Sequence, residues 1–235
     1  KTQNEVMDRA NNFARKNKVQ DALLLKAGLT VKREKAEGYY DRFRNKIIFP
    51  IFNSAGRPCA FGARVLDNSL PKYINSPESD IYVKGRNLYG WHLAKDEITK
   101  KDTVVIVEGY FDCIMPHQFG IKNVVATLGT ALTKEQTQLI KRYADNVVIA
   151  YDIDIAGITA SIRGIDLLIE EGLNVKVALL PGSKDPDEFL NKNGREAFVS
   201  CLDNSKEIVD FWLDTAGKEK LSDLKGRIKL MNEVL

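Results

Sequence analysis

The sequence predicts a mixed α/β protein: an α+β amino-terminal subdomain, then a Rossmann-like parallel sheet with helices on both faces, then a short helical carboxy-terminal piece. Three observations lead there. From residue 103 onward, short apolar runs alternate with helix-like segments, the rhythm of a parallel sheet covered on both faces. Before that, two β-rich runs over 47–52 and 59–66 flank Asn53, Ser54, Ala55 and Gly56, the turn chemistry of a hairpin. The charge divides along the same line. Residues 1–100 hold 19 Lys+Arg against 11 Asp+Glu, and the remainder holds 16 against 21. A basic half beside an acidic half fits a polyanion cradle joined to a cation site, or simply a solvated basic face.

The elements follow in order. Val6, Ala10, Phe13 and Ala14 share one helical face, a second short helix covers 19–25, and Gly28 stops it. Residues 32–38 are polar and read as a loop. After the hairpin, residues 67–90 carry Pro71, Pro77, Gly85 and Gly90, an irregular stretch of the kind that often bears binding residues. Tyr73, Tyr82 and Tyr89 within it read as core. A short helix is expected over 91–97 and a junction over 100–102. Strands are expected over 103–107, 124–127, 147–151 and 175–180. Helices are expected over 109–119, 133–143 and 156–171, with Gly120 and Gly172 as stops and Thr133–Gln136 at capping-box spacing. Two short helices over 185–192 and 195–202 close this part. The expected domains are 1–100, 101–202 and a helical 203–235.

Composition excludes several classes. No apolar run approaches the length of a membrane span. Cys59, Cys113 and Cys201 are far apart without C-x-x-C spacing, and His92 and His117 are the only histidines, so neither a disulfide framework nor a zinc site is expected. A reducing, cytoplasmic compartment fits. The chain starts at Lys1 and ends at Leu235 inside a helix-like segment, which reads as a piece of a longer protein.

Five acids stand where chemistry is expected in such a sheet. Glu108 follows the first strand of the unit, Asp152 and Asp154 follow the third, and Asp185 and Asp187 follow the fourth. Open parallel sheets form their sites outside the carboxyl ends of the strands. Gathered carboxylates repel, and hard divalent cations such as Mg²⁺ or Mn²⁺ relieve that repulsion. Asp112 lies one helical turn beyond Glu108 and faces either the site or solvent. Asp152, Asp154 and Asp185 also suit helix caps.

Several segments resemble one family. VEGYFD (107–112), YDIDIAG (151–157) and KDPDEFL (184–190) resemble the three acidic motifs of the TOPRIM fold, shared by DnaG-type bacterial primases, topoisomerases and small nucleases. ATLGTALT (126–133), YDRFRNKIIFPI (40–51), FGARVL (61–66), PKYINSPES (71–79) and KGRNLYG (84–90) resemble the primase version specifically, in order over roughly 1–202.

The resemblance implies a DNA-dependent RNA polymerase that makes short RNA primers on a single-stranded DNA template. It implies catalytic Glu108, Asp152 and Asp154, which hold metal with Asp185 and Asp187, and Asp112 in support. Mg²⁺ is the implied cofactor, Mn²⁺ a substitute, and zinc is not expected. Phosphate contacts to template and NTP fall to Arg42, Arg44, Lys46, Arg64, Lys72, Lys84 and Arg86, with Asn75 and Ser76 beside them. Implied partners are single-stranded DNA, NTPs, the RNA/DNA hybrid product and a replicative helicase reached through a domain absent here. The expected protein is a monomer without membrane association, at the replication fork in the bacterial cytoplasm. Ile153 stands where the family usually has glycine, which implies a turn of ordinary φ there. A TOPRIM nuclease or topoisomerase fragment and a non-catalytic single-strand-binding module are the rival readings.

Overall fold

In the computed structural model, residues 8–34, 36–129, 131–150, 164–208 and 210–211 are described. The chain divides into two compact units between Asn87 and Leu88.

The first unit opens with helices α1 (Arg9–Lys16) and α2 (Asp21–Lys26) and the paired strands β1 (Thr30–Lys32) and β2 (Tyr39–Asp41). The two strands flank the expected loop and were not anticipated. Asp8 makes no capping bond at the start of α1. The Asp41 carboxylate of β2 does so instead, accepting from the Ala10 and Asn11 backbone N–H groups at 2.7 and 2.9 Å. Asp41's own N–H donates to Asp8 at 3.0 Å, and Arg33 donates to the second Asp8 oxygen at 3.2 Å. A helix leaves its first amides without partners, and here a neighbouring strand supplies the acceptor.

The expected hairpin is present as β3 (Lys46–Phe52) and β4 (Pro58–Val65), joined by a third strand, β5 (Tyr73–Asn75), in the order β3-β4-β5. In the turn, the Asn53 side chain accepts from Ala55 and Arg57 N–H at 3.0 Å each, and Gly56 takes φ +75°, where a side chain is strained. Pro50 sits within β3, which is an edge strand and tolerates the missing donor. A 3₁₀ turn, Lys84–Arg86, ends the unit.

The second unit is a five-stranded sheet, β10-β9-β8-β6-β7, with β6 (Thr103–Val107), β7 (Val124–Ala126), β8 (Asn146–Ile149) and β9 (Asn174–Val177) parallel. The strand β10 (Lys206–Glu207) runs antiparallel on β9, where helix was expected. Helix α3 (Trp91–Lys101), expected to close the first subdomain, belongs to this unit: its Trp91, Ala94 and Ile98 join the core of Val104, Ile106, Val125, Val147 and Leu168. Burying each of the Val, Leu and Ile side chains stabilises the unit by about 1.5–3 kcal/mol.

Helices α4 (Tyr110–Gln118), α5 (Lys134–Lys141), residues 164–170 and α6 (Pro186–Asp203) cover the sheet. The Thr133–Gln136 capping box forms as expected, with bonds of 3.2 and 3.1 Å. α6 is broken at Gly194 (φ +78°), so its halves match the two short helices expected from the sequence. The acids' strands share one direction, which puts the chain segments after β6, β7, β8 and β9 at one edge of the sheet. Among the described residues no helix is long and apolar enough to cross a membrane.

Candidate active site

Glu108 leaves the carboxyl end of β6 as an exposed residue, and its backbone carbonyl accepts from Leu128 N–H at 2.9 Å. One turn into α4, the Asp112 carboxylate reaches back and accepts the Gly109 N–H at 2.9 Å. An added Cβ at position 109 would lie 2.7 Å from that carboxylate oxygen, so a larger residue there would displace the Asp112 side chain. The Asp187 backbone also hydrogen-bonds Asp112. Asp185 caps α6, accepting from Glu188 N–H at 2.8 Å, so the cap expected as an alternative is real. Asp187 stands in the first turn of α6 and accepts from the Asn191 side chain at 2.9 Å.

The starts of α4 and α6 thus put Asp112 within electrostatic reach of Asp185 and Asp187. Burial pushes the Asp112 carboxyl up to about 6, and the Asp185 and Asp187 charges add to the rise. This is the repulsion a divalent cation relieves, so the donor chemistry suits a hard cation with oxygen ligands. Among the described residues no three acids, histidines or cysteines converge into a complete ligand set. Asp152, Asp154 and the Ile153 turn lie outside the described residues.

Nearby nucleophiles are unsuited to chemistry. The Cys113 thiol is buried and raised far above its ordinary range by desolvation. His117 and His92 are both lowered by burial, and His117 Nε2 lies 2.8 Å from the Val124 carbonyl oxygen.

In the first unit the basic residues are spread out. Arg44 lies 4.5 Å from the Tyr40 ring centroid and Arg33 lies 5.7 Å from the same ring, a cation–π cluster. Arg33 and Tyr40 escaped the sequence reading. A period-2 spacing of charge and aromatic around the unrecognised β2 was the available signal. Arg42 is half-buried, its N–H donating to the Leu29 carbonyl at 2.9 Å.

In the three-stranded sheet Arg64 pairs with Tyr73 in register and sits 5.7 Å over its ring. Asn75, two residues on from Tyr73, shares that face. Lys46, opposite Val65, belongs to the other face. Ser76 is buried and exchanges hydrogen bonds with the Phe61 backbone at 2.8 and 3.0 Å, extending the ladder. Lys72 is exposed, while Lys84 and Arg86 occupy the 3₁₀ turn, where Lys84 N–H donates to Glu78 at 3.3 Å. Of the three tyrosines read as core, Tyr82 is buried at 1 % exposure, Tyr89 packs edge-to-face on Tyr110, and Tyr73 is 39 % exposed.

Comparison with known proteins adds identity to this geometry. The family described as the DNA primase catalytic core, N-terminal domain, matches residues 3–95, and a Toprim-like family matches 105–190. A solved DnaG primase catalytic domain bound to single-stranded DNA is 34% identical with a TM-score of 0.82, over 94% of this chain and 74% of that one. The chain belongs to the DnaG primase family. The Escherichia coli primase catalytic core is another relative in structure, at 35% identity and a TM-score of 0.78, over 96% of this chain and 71% of that one. The DNA primase of Clostridium acetobutylicum is 52% identical over 90% of this chain. That of Staphylococcus aureus strain COL is 39% identical over 84%. The chain spans about a third of the length of these two DnaG-family primases, 35% and 33%. The TOPRIM fold expected from the acidic motifs is the fold of the second unit, and it is a fold that binds divalent metal.

Proposed function

We propose that this chain is the catalytic core of a primase, a DNA-directed RNA polymerase that builds short RNA primers on single-stranded DNA. The observation that carries the reading is the order of the two family matches, the DNA primase catalytic core N-terminal domain over 3–95 and the Toprim-like domain over 105–190, with Asp112 facing the charges of Asp185 and Asp187 in the second. Residues 1–100 would hold template and nucleotide, 101–202 the metal, and 203–235 a connecting piece.

In the reaction the 3′-hydroxyl of a priming nucleotide attacks the α-phosphorus of the next NTP. A new P–O bond forms, the bond to the bridging β-phosphate oxygen breaks, and pyrophosphate leaves with its electron pair. Glu108, Asp152 and Asp154 would hold Mg²⁺, or Mn²⁺ in its place, with Asp185 and Asp187 alongside. The bound cation supplies Lewis-acid neutralisation of the phosphoryl oxygens and a lowered hydroxyl pKa. Asp112 fixes the first turn of α4 through Gly109 and so sets the segment that carries Glu108.

Arg42, Arg44, Lys46, Arg64, Lys72, Lys84 and Arg86 would neutralise template and NTP phosphates without reading sequence, and Asn75 and Ser76 would support that surface. The exposed Tyr73 and the Arg-flanked Tyr40 offer faces for unstacked bases. Single-stranded DNA, NTPs and the RNA/DNA hybrid are the ligands of this reading. A replicative helicase, met through another part of the protein, is its partner at a cytoplasmic replication fork, and the core acts as a monomer.

The test is primer synthesis from NTPs and Mg²⁺ on a single-stranded template. Glu108→Gln should lower the rate by about 100-fold or more while single-strand affinity stays within about twofold. Full activity in that variant would overturn the assignment.

A further inference from the structure

Four non-glycine residues among those described have positive φ: Lys18, Asn45, Asp102 and Leu128. Three are polar and exposed, at turns where such backbone is commonly tolerated. Leu128 is different. It is a bulky apolar residue at φ +62°, only 7 % exposed, and it follows β7 at the carboxyl edge of the sheet. A left-handed backbone brings the Cβ of an L-residue too close to its own carbonyl, so a buried leucine keeps it only where its surroundings impose it.

What that conformation holds is visible in the hydrogen bonds. The β6–β7 ladder runs on past β7: Thr127 N–H donates to the Val107 carbonyl at 3.1 Å, and Leu128 N–H to the Glu108 carbonyl at 2.9 Å. The chain then leaves through Gly129, also left-handed at φ +71°. An added Cβ at Gly129 would meet nothing within 4 Å, so the turn there is free of packing constraint. The anchor of the turn is therefore the buried side chain of Leu128. Sequence reading passed over this residue, treating ATLGTALT only as a family signature.

We infer that Leu128 is a positioning residue: its buried side chain locks a left-handed turn whose amide clamps the backbone of Glu108 and so fixes the direction of that carboxylate. The inference rests on the primase reading for its kinetic arm only, because cation binding can be measured without nucleotide. Losing the anchor lets the turn sample other conformations, and an acid displaced by a fraction of an ångström serves a preorganised site poorly.

The experiment compares three forms of the chain. Leu128→Gly accepts the backbone but removes the anchor, and Leu128→Met keeps a buried apolar side chain. Mn²⁺ binding to the nucleotide-free protein, followed by electron paramagnetic resonance, should weaken by about fivefold in Leu128→Gly, and kcat for primer extension should fall by about tenfold with KM for NTP within about twofold. Leu128→Met should recover both to within about threefold.

Parent-like Mn²⁺ affinity and kcat in folded Leu128→Gly, with only a lowered melting temperature, would overturn the inference and leave Leu128 a core residue. Should the glycine variant not fold, Leu128→Asn, which tolerates the same backbone, is read by the same criteria. If the parent itself makes no primers, the primase reading has failed, and the Mn²⁺ arm still decides the role of Leu128.

Discussion

Asp41 and Asp112 are carboxylates drawn away from solvent, one in each unit, and they do opposite things. Asp41 meets the first amides of α1, which carry the positive end of the helix and lack partners of their own. Asp112 accepts from Gly109 and from Asp187's backbone, but it also faces the charges of Asp185 and Asp187. The first carboxylate joins a strand to a helix. The second faces charges of its own sign. Burial alone does not say whether an acid stabilises a fold. What decides it is which groups the oxygens meet.

Substitutions test this contrast, and the largest effect is expected in the second unit. The Asp112 carboxyl is raised in the folded protein to about 6. A raised folded value means stability is fully present below the unfolded value, near 4, and is lost as pH rises through about 6. In chelator, Asp112→Asn should therefore be more stable than the parent by about 2–3 kcal/mol at pH 8 and equal to it at pH 4, measured by urea unfolding. A variant less stable than the parent at pH 8 would place Asp112 with Asp41.

The opposite sign is expected in the first unit. Asp41→Ala should cost about 2 kcal/mol at pH 7, since the Ala10 and Asn11 helix amides, the second of them buried, lose their acceptor. Amide exchange would locate the loss at Ala10 and Asn11. No change in exchange there would mean that water replaces the cap.

The smallest effect should come from the exposed cations. Lys72→Ala should leave thermal stability within about 0.5 kcal/mol but reduce by about one the slope of single-strand affinity against the logarithm of salt concentration. An unchanged slope would remove Lys72 from the template surface.

Much of the second unit was legible in the sequence. β6 and β7 are buried on both faces and read as near-continuous apolar runs, and Gly120 and Gly172 mark breaks between strands and helices. The Thr133–Gln136 box and the break at Gly194 rest on interactions a few residues apart, which a linear reading can see. The first unit was harder. β1, β2 and β5 are three residues each, too short for periodicity to register. β10 is two residues and exists because it pairs with β9. The family matches over 3–95 and 105–190 fall on either side of residue 100, whereas the compact units divide at Asn87 and Leu88. α3 is polar along most of its length, and only Trp91, Ala94 and Ile98 reveal which core it joins.

By itself, then, the chain's order of residues settled the parallel sheet and the family to which it belongs, because apolar runs, turn residues and long motifs are local patterns. Tertiary structure decided the rest: that Asp112 faces the charges of Asp185 and Asp187, that Asp41 caps a helix 30 residues away, and that the Leu128 amide donates to the Glu108 carbonyl. Each of these is a contact between segments distant in sequence, and no local pattern records which distant partner a carboxylate or an amide will find.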